Sequence, residues 1–413
     1  MLSSLLLRTA RRQAGVGAAA AQSFALRAFS TLERNPAHAS WTDDDKAYFQ
    51  QLLKPRACSP TPTTPRRGNT GLVGGSVPVY DEIVLSTSSM SNVISFDEVS
   101  GILVCEAGCI LENLDNYVAK HGYMMPLDLG AKGTCQIGGN VATNAGGLRL
   151  LRYGSLHGVD FNAPRSSSKN VALLACEDFE ACQKAFVEAK KNLGEVLSAV
   201  EFMDRQSLDM VLSQQDWTKD PLETPSPFYV LIETSGSNTD HDMEKLEAYL
   251  EDVMGSGIVV DGTVAQDEAQ AQKLFMLRED ISMSLSSRGY VYKYDISLPM
   301  EQYYKAVEEV REKMAPLGAE VVGFGHMGDC NLHLNISTLE YDEKVFNALE
   351  PFVFEWTSKY RGSISSEHGI GTHKPSYLHL SKSDNSIQLM RQMKQMMDPK
   401  GILNPYKVLP SSE

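Results

Sequence analysis

The stretch Gly323–Asn335, GFGHMGDCNLHLN, constrains the fold more than any other part of the chain. Glu320–Phe324 before the turn and Leu332–Ile336 after it read as short strands, and Met327, Gly328, Asp329, Cys330 and Asn331 between them are turn chemistry. A hairpin of this kind folds His326 and His333 toward one another, which suits a metal with nitrogen ligands. Further on, Glu367-His368-Gly369 offers a carboxylate and a third imidazole in a loop rich in Gly and Ser. A surface hairpin with two solvated histidines fits the same residues equally well.

Around this hairpin the chain alternates between two periodicities. Val171–Ala175, Leu197–Met203, Phe228–Glu233, Ile258–Val264, Tyr290–Leu298 and Glu320–Gly325 read as strands. Asp178–Asn192, Asp240–Val253, Asp267–Ser287 and Glu301–Met314 read as helices, with further helices near Val345–Lys359 and Ile387–Met397. The pattern predicts an α+β domain: a sheet with helices on one face.

The first half is organised by glycine. Residues 68–76, GNTGLVGGS, let backbone amides approach an anion as a pyrophosphate cradle requires, although ordinary turns have the same composition. Ile83–Ser86 and Ile102–Glu106 read as strands, and Leu111–His121 as an amphipathic helix. Pro126–Gly147, PLDLGAKGTCQIGGNVATNAGG, is too apolar to be solvated and too rich in glycine to be regular. It predicts a buried loop that wraps a ligand with its backbone.

Composition narrows the function. A net charge of −14 lacks the basic footprint of a nucleic-acid or anionic-membrane surface. The 413 residues are enough for two or three domains. Seven cysteines without a CxxC pair point to free thiols in a reducing compartment. Met1–Leu32 carries Arg8, Arg11, Arg12 and Arg27 and no acid, the pattern of a mitochondrial transit peptide, and Arg27-Ala28-Phe29-Ser30 resembles a matrix-protease site. In residues 33–67, Trp41–Leu53 reads as a capped helix and Lys54–Arg67 as a linker.

Taken together, Arg67–Ser76, Pro126–Gly147, Arg152–Gly158, Gly323–Asn335, Ser365–Gly371 and Asp398–Lys407 (DPKGILNPYK) resemble motifs of the vanillyl-alcohol-oxidase/PCMH flavoprotein group. Within that group the chain is similar to the D-2-hydroxyglutarate dehydrogenase family, from about Gly68 to Gly158 and from about Val171 to the end. The resemblance implies a partial PCMH-type FAD domain over 68–158, a junction over 159–170, and an FAD-linked oxidase C-terminal domain over 171–413 that carries substrate and metal. It places FAD, bound non-covalently, on Gly68, Asn69, Thr70, Gly71, Gly74, Gly75, Ser76, Pro126, Asp128, Gly130, Gly133, Thr134, Gly138, Gly139, Asn140, Thr143, Asn144, Gly147 and Asn404. His326, His333 and Glu367 match the family's ligands for a divalent metal, and two imidazoles with one carboxylate suit zinc. Arg278, Ser282, Lys293, Asn335 and His368 match its substrate contacts, with His368 as the catalytic base.

The activity implied is oxidation of D-2-hydroxyglutarate to 2-oxoglutarate in the mitochondrial matrix, with electrons passed to electron-transfer flavoprotein and a homodimer as the possible assembly. D-lactate or another D-2-hydroxy acid is the alternative substrate. The chain departs from the family at Cys58–Arg66, which replaces a strand-and-helix unit, and at Val159–Lys169, which replaces strands and a loop that covers the flavin. These departures imply unpaired strand edges and an exposed cofactor face, and they support a flavin-free, inactive isoform as a further alternative. A third departure is Cys330, where the family has glycine. If that turn needs positive φ, cysteine strains it by about 1 kcal/mol, and its thiol would stand beside the metal as a competing ligand.

Overall fold

The computed structural model describes residues 68–80, 84–155, 163–164 and 168–410. The expected leader, the Trp41–Leu53 helix, the linker and His157-Gly158 lie outside the described residues. The larger part is a seven-stranded antiparallel sheet built from β3 (Ser168–Cys176), β4 (Leu197–Asp204), β5 (Phe228–Gly236), β6 (Asp261–Val264), β7 (Tyr290–Ser297), β8 (Glu320–His326) and β9 (Asn331–Thr338). Their order is β6-β3-β5-β4-β8-β9-β7. The α+β antiparallel expectation holds.

The one-sided arrangement of helices does not. Alternate residues of β3 feed two separate cores: Ala172, Leu174 and Cys176 one, Val171, Leu173 and Ala175 the other. The first core is closed by α4 (Phe179–Leu193), α6 (Thr239–Gly255), α9 (Met300–Met314), α10 (Glu343–Leu349) and α11 (Phe352–Lys359). The second is closed by α5 (Arg205–Gln214), α7 (Glu268–Glu279) and α8 (Ile281–Arg288). Strands apolar on both faces require cover on both faces.

Local signals set the helix ends. Asp178, Asp204 and Asp267 each cap a helix by accepting a backbone N–H from Ala181, Ser207 and Gln270. The expected helix Asp267–Ser287 is two helices that meet at Asp280, and Val345–Lys359 is two helices separated at Glu350-Pro351, where proline cannot continue the hydrogen-bond ladder. The last helix, α12, spans Asp384–Met397.

The amino-terminal part is smaller. β1 (Val93–Asp97) and β2 (Ile102–Cys105) form a two-stranded ribbon, and α1 (Leu111–Ala119) covers a third core with Leu114, Val118, Met125 and Cys135. The expected strand at Ile83–Ser86 is reduced to a single bridge residue, Leu85, and Ile83 lies outside the described residues. Ile94, Ile102 and Val104 of the ribbon are exposed, as a ribbon without further strands leaves them. Among the described residues no helix is long and apolar enough to cross a membrane, and the six described cysteines are all free thiols.

A buried ionisable cluster lies behind the site-bearing loop. Tyr294 donates to Glu350 Oε1 at 3.3 Å, and Lys374 Nζ donates to the Ile364 carbonyl at 2.9 Å. Burial pushes the Glu350 carboxyl up to about 7 from 4.5, against hydrogen bonds from Tyr294 and Tyr377 and the charge of Lys374. The folded state therefore binds more protons than the unfolded one between these values. Stability is expected to fall as pH rises from about 4.5 to about 7, by on the order of 2–3 kcal/mol from this group. Chemical denaturation of Glu350→Gln across that window should show a flatter pH dependence; an unchanged slope would assign the effect elsewhere.

Candidate active site

The register of the sheet assembles the site. His326 of β8 lies opposite Glu201 of β4, Phe324 opposite His333 of β9, and His333 opposite Asp295 of β7. One step along, Lys293 lies opposite Asn335. Directly opposed residues share a face, so these side chains all project toward the second core, where α7 brings Arg278. His326 and His333 are each 8% exposed, which rules out a solvated surface hairpin.

Three donor atoms converge. His326 Nε2 lies 3.3 Å from His333 Nε2 and 3.5 Å from Glu367 Oε1, and His333 Nε2 lies 3.4 Å from Glu367 Oε1. A tetrahedral ion with bonds of about 2.1 Å has ligand separations of about 3.4 Å. The triangle therefore matches the spacing of three ligands of such an ion. His368 and Asp295 also carry atoms near His333 and Glu367. Asp295 is committed elsewhere: its carboxylate accepts the backbone N–H groups of Ser366, Glu367 and His368 and the Ser365 hydroxyl. Its work is to hold the 365–368 loop against the strand.

Electrostatics set the charge of each donor. Burial, with Arg278, His326 and His368 beside it, holds His333 well below the usual imidazole range, so it is neutral with a free lone pair. Burial works against charge on His326, but Glu201 and Glu367 outweigh it and raise the imidazole to about 10, so His326 gives up its Nε2 proton when a cation binds. Burial likewise opposes ionised Glu367, yet His326, His368 and Arg278 bring its carboxyl down to about 2. A compact set of one carboxylate and two imidazoles is held ready for a cation. Asn331, fully buried on the same strand face, has both side-chain polar atoms without a protein partner.

The expected substrate residues surround this corner. Arg278 is buried, its Nε 2.9 Å from Glu201 Oε2 and its guanidinium 4.9 Å from the Phe324 ring centre. Asn335 Nδ2 donates to Ser282 Oγ at 3.3 Å. Lys293 keeps solvent contact, while the surrounding protein pushes its ammonium below the usual lysine value. His368 stacks on His333 with ring centres 5.4 Å apart, and its Nδ1 is 3.9 Å from Asp295 Oδ2.

The flavin-segment residues are brought against the same end of the sheet. Leu150 and Leu151 of the short helix α3 (Leu150–Tyr153), with Gly147 and Leu148, close over Glu201, His326 and Asp329. A side chain at Gly328 would run into Leu151, so the hairpin turn must be bare there. Loop 68–76 lies against the carboxy-terminal segment: Thr372 N donates to Val73 O at 2.9 Å, and Asn404 Nδ2 to Gly75 O at 2.9 Å. Ser76 and Asn69 are hydrogen-bonded within that loop. In the second loop Asp128 bridges to Gly147, Thr143 donates to Gly139 O, and Asn144 has positive φ. Residues Ile137–Ala142 of it are the short helix α2, containing Gly138, Gly139 and Asn140. Asn140 is 7% exposed with Oδ1 unpartnered, an acceptor that a bound cofactor N–H would satisfy. These loops fit a flavin.

Cys330 has φ 58°, the strained conformation expected of that turn. Its thiol does not compete for the metal, because Cys330 packs against the first core, on the face opposite the imidazoles. Cys330→Gly should stabilise the protein by roughly 0.5–1 kcal/mol, the left-handed strain relieved less the extra freedom of glycine in the unfolded chain. Denaturant unfolding decides; a net loss would mean that thiol packing dominates.

Glu201 and Asp295 are site residues that the motifs did not reveal. The signal was present: each is a carboxylate in a strand of apolar residues, and buried carboxylates need partners.

Comparison with known proteins identifies the family of both parts. Residues 165–408 match the model of the FAD linked oxidases, C-terminal domain, and residues 49–161 match that of the FAD binding domain. A mitochondrial D-2-hydroxyglutarate dehydrogenase of Arabidopsis thaliana is 50% identical over 395 positions, covering 84% of this chain and 70% of the relative. Those positions outnumber the residues of this chain they contain, so stretches of the relative are missing inside it. Among solved structures, p-cresol methylhydroxylase aligns with a TM-score of 0.59 at 11% identity over 78% of this chain and 79% of its own. Alkyldihydroxyacetonephosphate synthase aligns at 0.58 and 13% over 76% of this chain, which spans 66% of it; both likenesses concern the fold alone. The chain belongs to the FAD-dependent oxidoreductases of the FAD-linked oxidase family, on the branch of the D-2-hydroxyglutarate dehydrogenases.

Proposed function

We propose that this protein oxidises D-2-hydroxyglutarate to 2-oxoglutarate in the mitochondrial matrix, with FAD as the immediate acceptor and electron-transfer flavoprotein as the next. The observation that carries this reading is the convergence of His326, His333 and Glu367 beside Arg278, Ser282, Lys293 and Asn335. The flavin, when bound, supplies a two-electron acceptor for the C2 hydrogen of the substrate. A divalent cation, zinc by the donor set, supplies positive charge for the hydroxyl and C1 carboxylate oxygens.

The chain's own residues do the rest. His368 takes the hydroxyl proton, its ring braced by His333 and by the Asp295 carboxylate. Arg278, Ser282, Lys293 and Asn335 hold the distal carboxylate, the Arg through its planar fork. A carboxylate there favours the charged form of Lys293, which burial works against. This asymmetry makes a diacid the preferred substrate over D-lactate. The loops 68–76 and 126–147 hold the flavin, and Leu150 and Leu151 keep water from the hairpin turn. The arginine-rich leader supports delivery to the matrix.

The test is a substrate panel on the purified full chain. The expected kcat/KM for D-2-hydroxyglutarate exceeds that for D-lactate by tenfold or more, at least about 1.4 kcal/mol of differential binding. Equal values would sink the diacid assignment. Denaturation should release flavin; a colourless protein that still binds divalent metal would instead establish an inactive isoform, the reading supported by the short segments 54–67 and 159–169.

A further inference from the structure

We infer that Glu201 is a positioning residue that ties the metal corner of the site to its diacid-binding corner, an inference that rests on the function proposed above. Glu201 sits mid-strand in β4 and is 1% exposed. Its Oε1 accepts from His326 Nδ1 at 2.7 Å, and its Oε2 accepts from Arg278 Nε at 2.9 Å. Glu201 keeps the hydrogen on Nδ1, so Nε2, which faces His333 and Glu367, is the nitrogen that gives up its hydrogen to a metal, leaving the tautomer a metal ligand needs. The same carboxylate holds the Arg278 guanidinium beside that ring, with Nη2 3.5 Å from His326 Nε2. Both duties require an acceptor. Both fall on one side chain.

Only a carboxylate can meet them together, because an amide has one acceptor end and one donor end. In Glu201→Gln the charged guanidinium is the stronger donor and takes the amide oxygen. The amide NH2 then faces His326 Nδ1, which must become an acceptor. The ring hydrogen moves to Nε2, where it blocks the metal. Removing Arg278 as well lifts the conflict, since the amide oxygen is then free to accept from His326 Nδ1–H. The substitution is nearly isosteric, so its effect arises from hydrogen-bond polarity and not from volume.

The experiment is a zinc titration of the purified full chain in competition with a chromophoric chelator, with unfolding followed by circular dichroism. Glu201→Gln should weaken zinc binding about 10–100-fold. Arg278→Met should bind zinc like wild type while losing its preference for D-2-hydroxyglutarate over D-lactate. The double variant Glu201→Gln/Arg278→Met should recover at least tenfold of the lost affinity, a rescue that a merely structural role does not produce. Wild-type affinity in Glu201→Gln, or a double variant no better than the single one, would overturn the inference. Should Glu201→Gln fail to fold, the double variant must fold and bind zinc within tenfold of Arg278→Met, and its failure to do so is equally decisive. Wild-type protein that binds no zinc would sink the metal assignment itself, a distinguishable result.

Discussion

Replacing His333 by alanine in flavin-loaded protein is expected to lower kcat by about a thousandfold, roughly the 4 kcal/mol of charge stabilisation that a properly held cation supplies. The imidazole's Nε2 closes the donor triangle at 3.3 and 3.4 Å from His326 and Glu367, and its ring is the surface on which His368 stacks. On the function proposed above, alanine removes a ligand and loosens the base in one step. Steady-state kinetics at saturating D-2-hydroxyglutarate, with flavin content checked by absorbance, measures the effect. Full turnover in a flavin-loaded variant would show that the triangle plays no part in the reaction.

Arg149→Met is expected to cost about 3–5 kcal/mol of stability, because it strands the buried Glu233 carboxylate and leaves Asp128 with Lys132 as its cationic partner. Arg149 Nε and Nη2 lie 2.9 and 3.2 Å from the two oxygens of Glu233 in β5, and Nη2 lies 3.0 Å from Asp128 Oδ2. Glu233 is 1% exposed and also accepts from Ser198 at 2.6 Å. The arginine thus fastens the 126–147 loop to the sheet of the other part. Denaturant unfolding should show the loss, and the double variant Arg149→Met/Glu233→Gln should regain part of it. A change below about 1 kcal/mol would mean that water reaches these carboxylates and that the clasp is weak.

Much of this architecture was legible, for reasons that lie in particular residues. The hairpin could be read because Glu320–Gly325 and Leu332–Ile336 alternate around a turn that only Gly328 and its neighbours can make. The helix α5, RQSLDMVLSQ, was missed because it follows β4 without a break and its cap, Asp204, is also the last residue of that strand. The second layer of helices was missed although β3 announces it: Val171–Cys176 is apolar on both faces, which a sheet exposed on one side does not tolerate. The loops 68–76 and 126–147 were recognisable by composition, but the contact of the first with Thr372 and Asn404 joins positions about three hundred residues apart.

By itself the sequence determined the local chemistry: an α+β chain, two glycine-rich loops, a hairpin with two histidines, and a distant Glu-His pair. Those features depend on neighbours along the chain, so periodicity and turn residues suffice to reveal them. Only the tertiary structure decided which carboxylates serve the site. Glu201, Asp295 and Glu233 are each an acid within an apolar strand, alike in sequence, and strand register alone sends the first to His326, the second to the 365–368 loop and the third to Arg149. Buried in a medium that penalises unpaired charge, each is defined by the partner that folding brings to it. The three atoms of the donor triangle are likewise joined by the fold, since His326 and Glu367 meet only when β7, β8 and β9 align and Asp295 draws the loop down onto them.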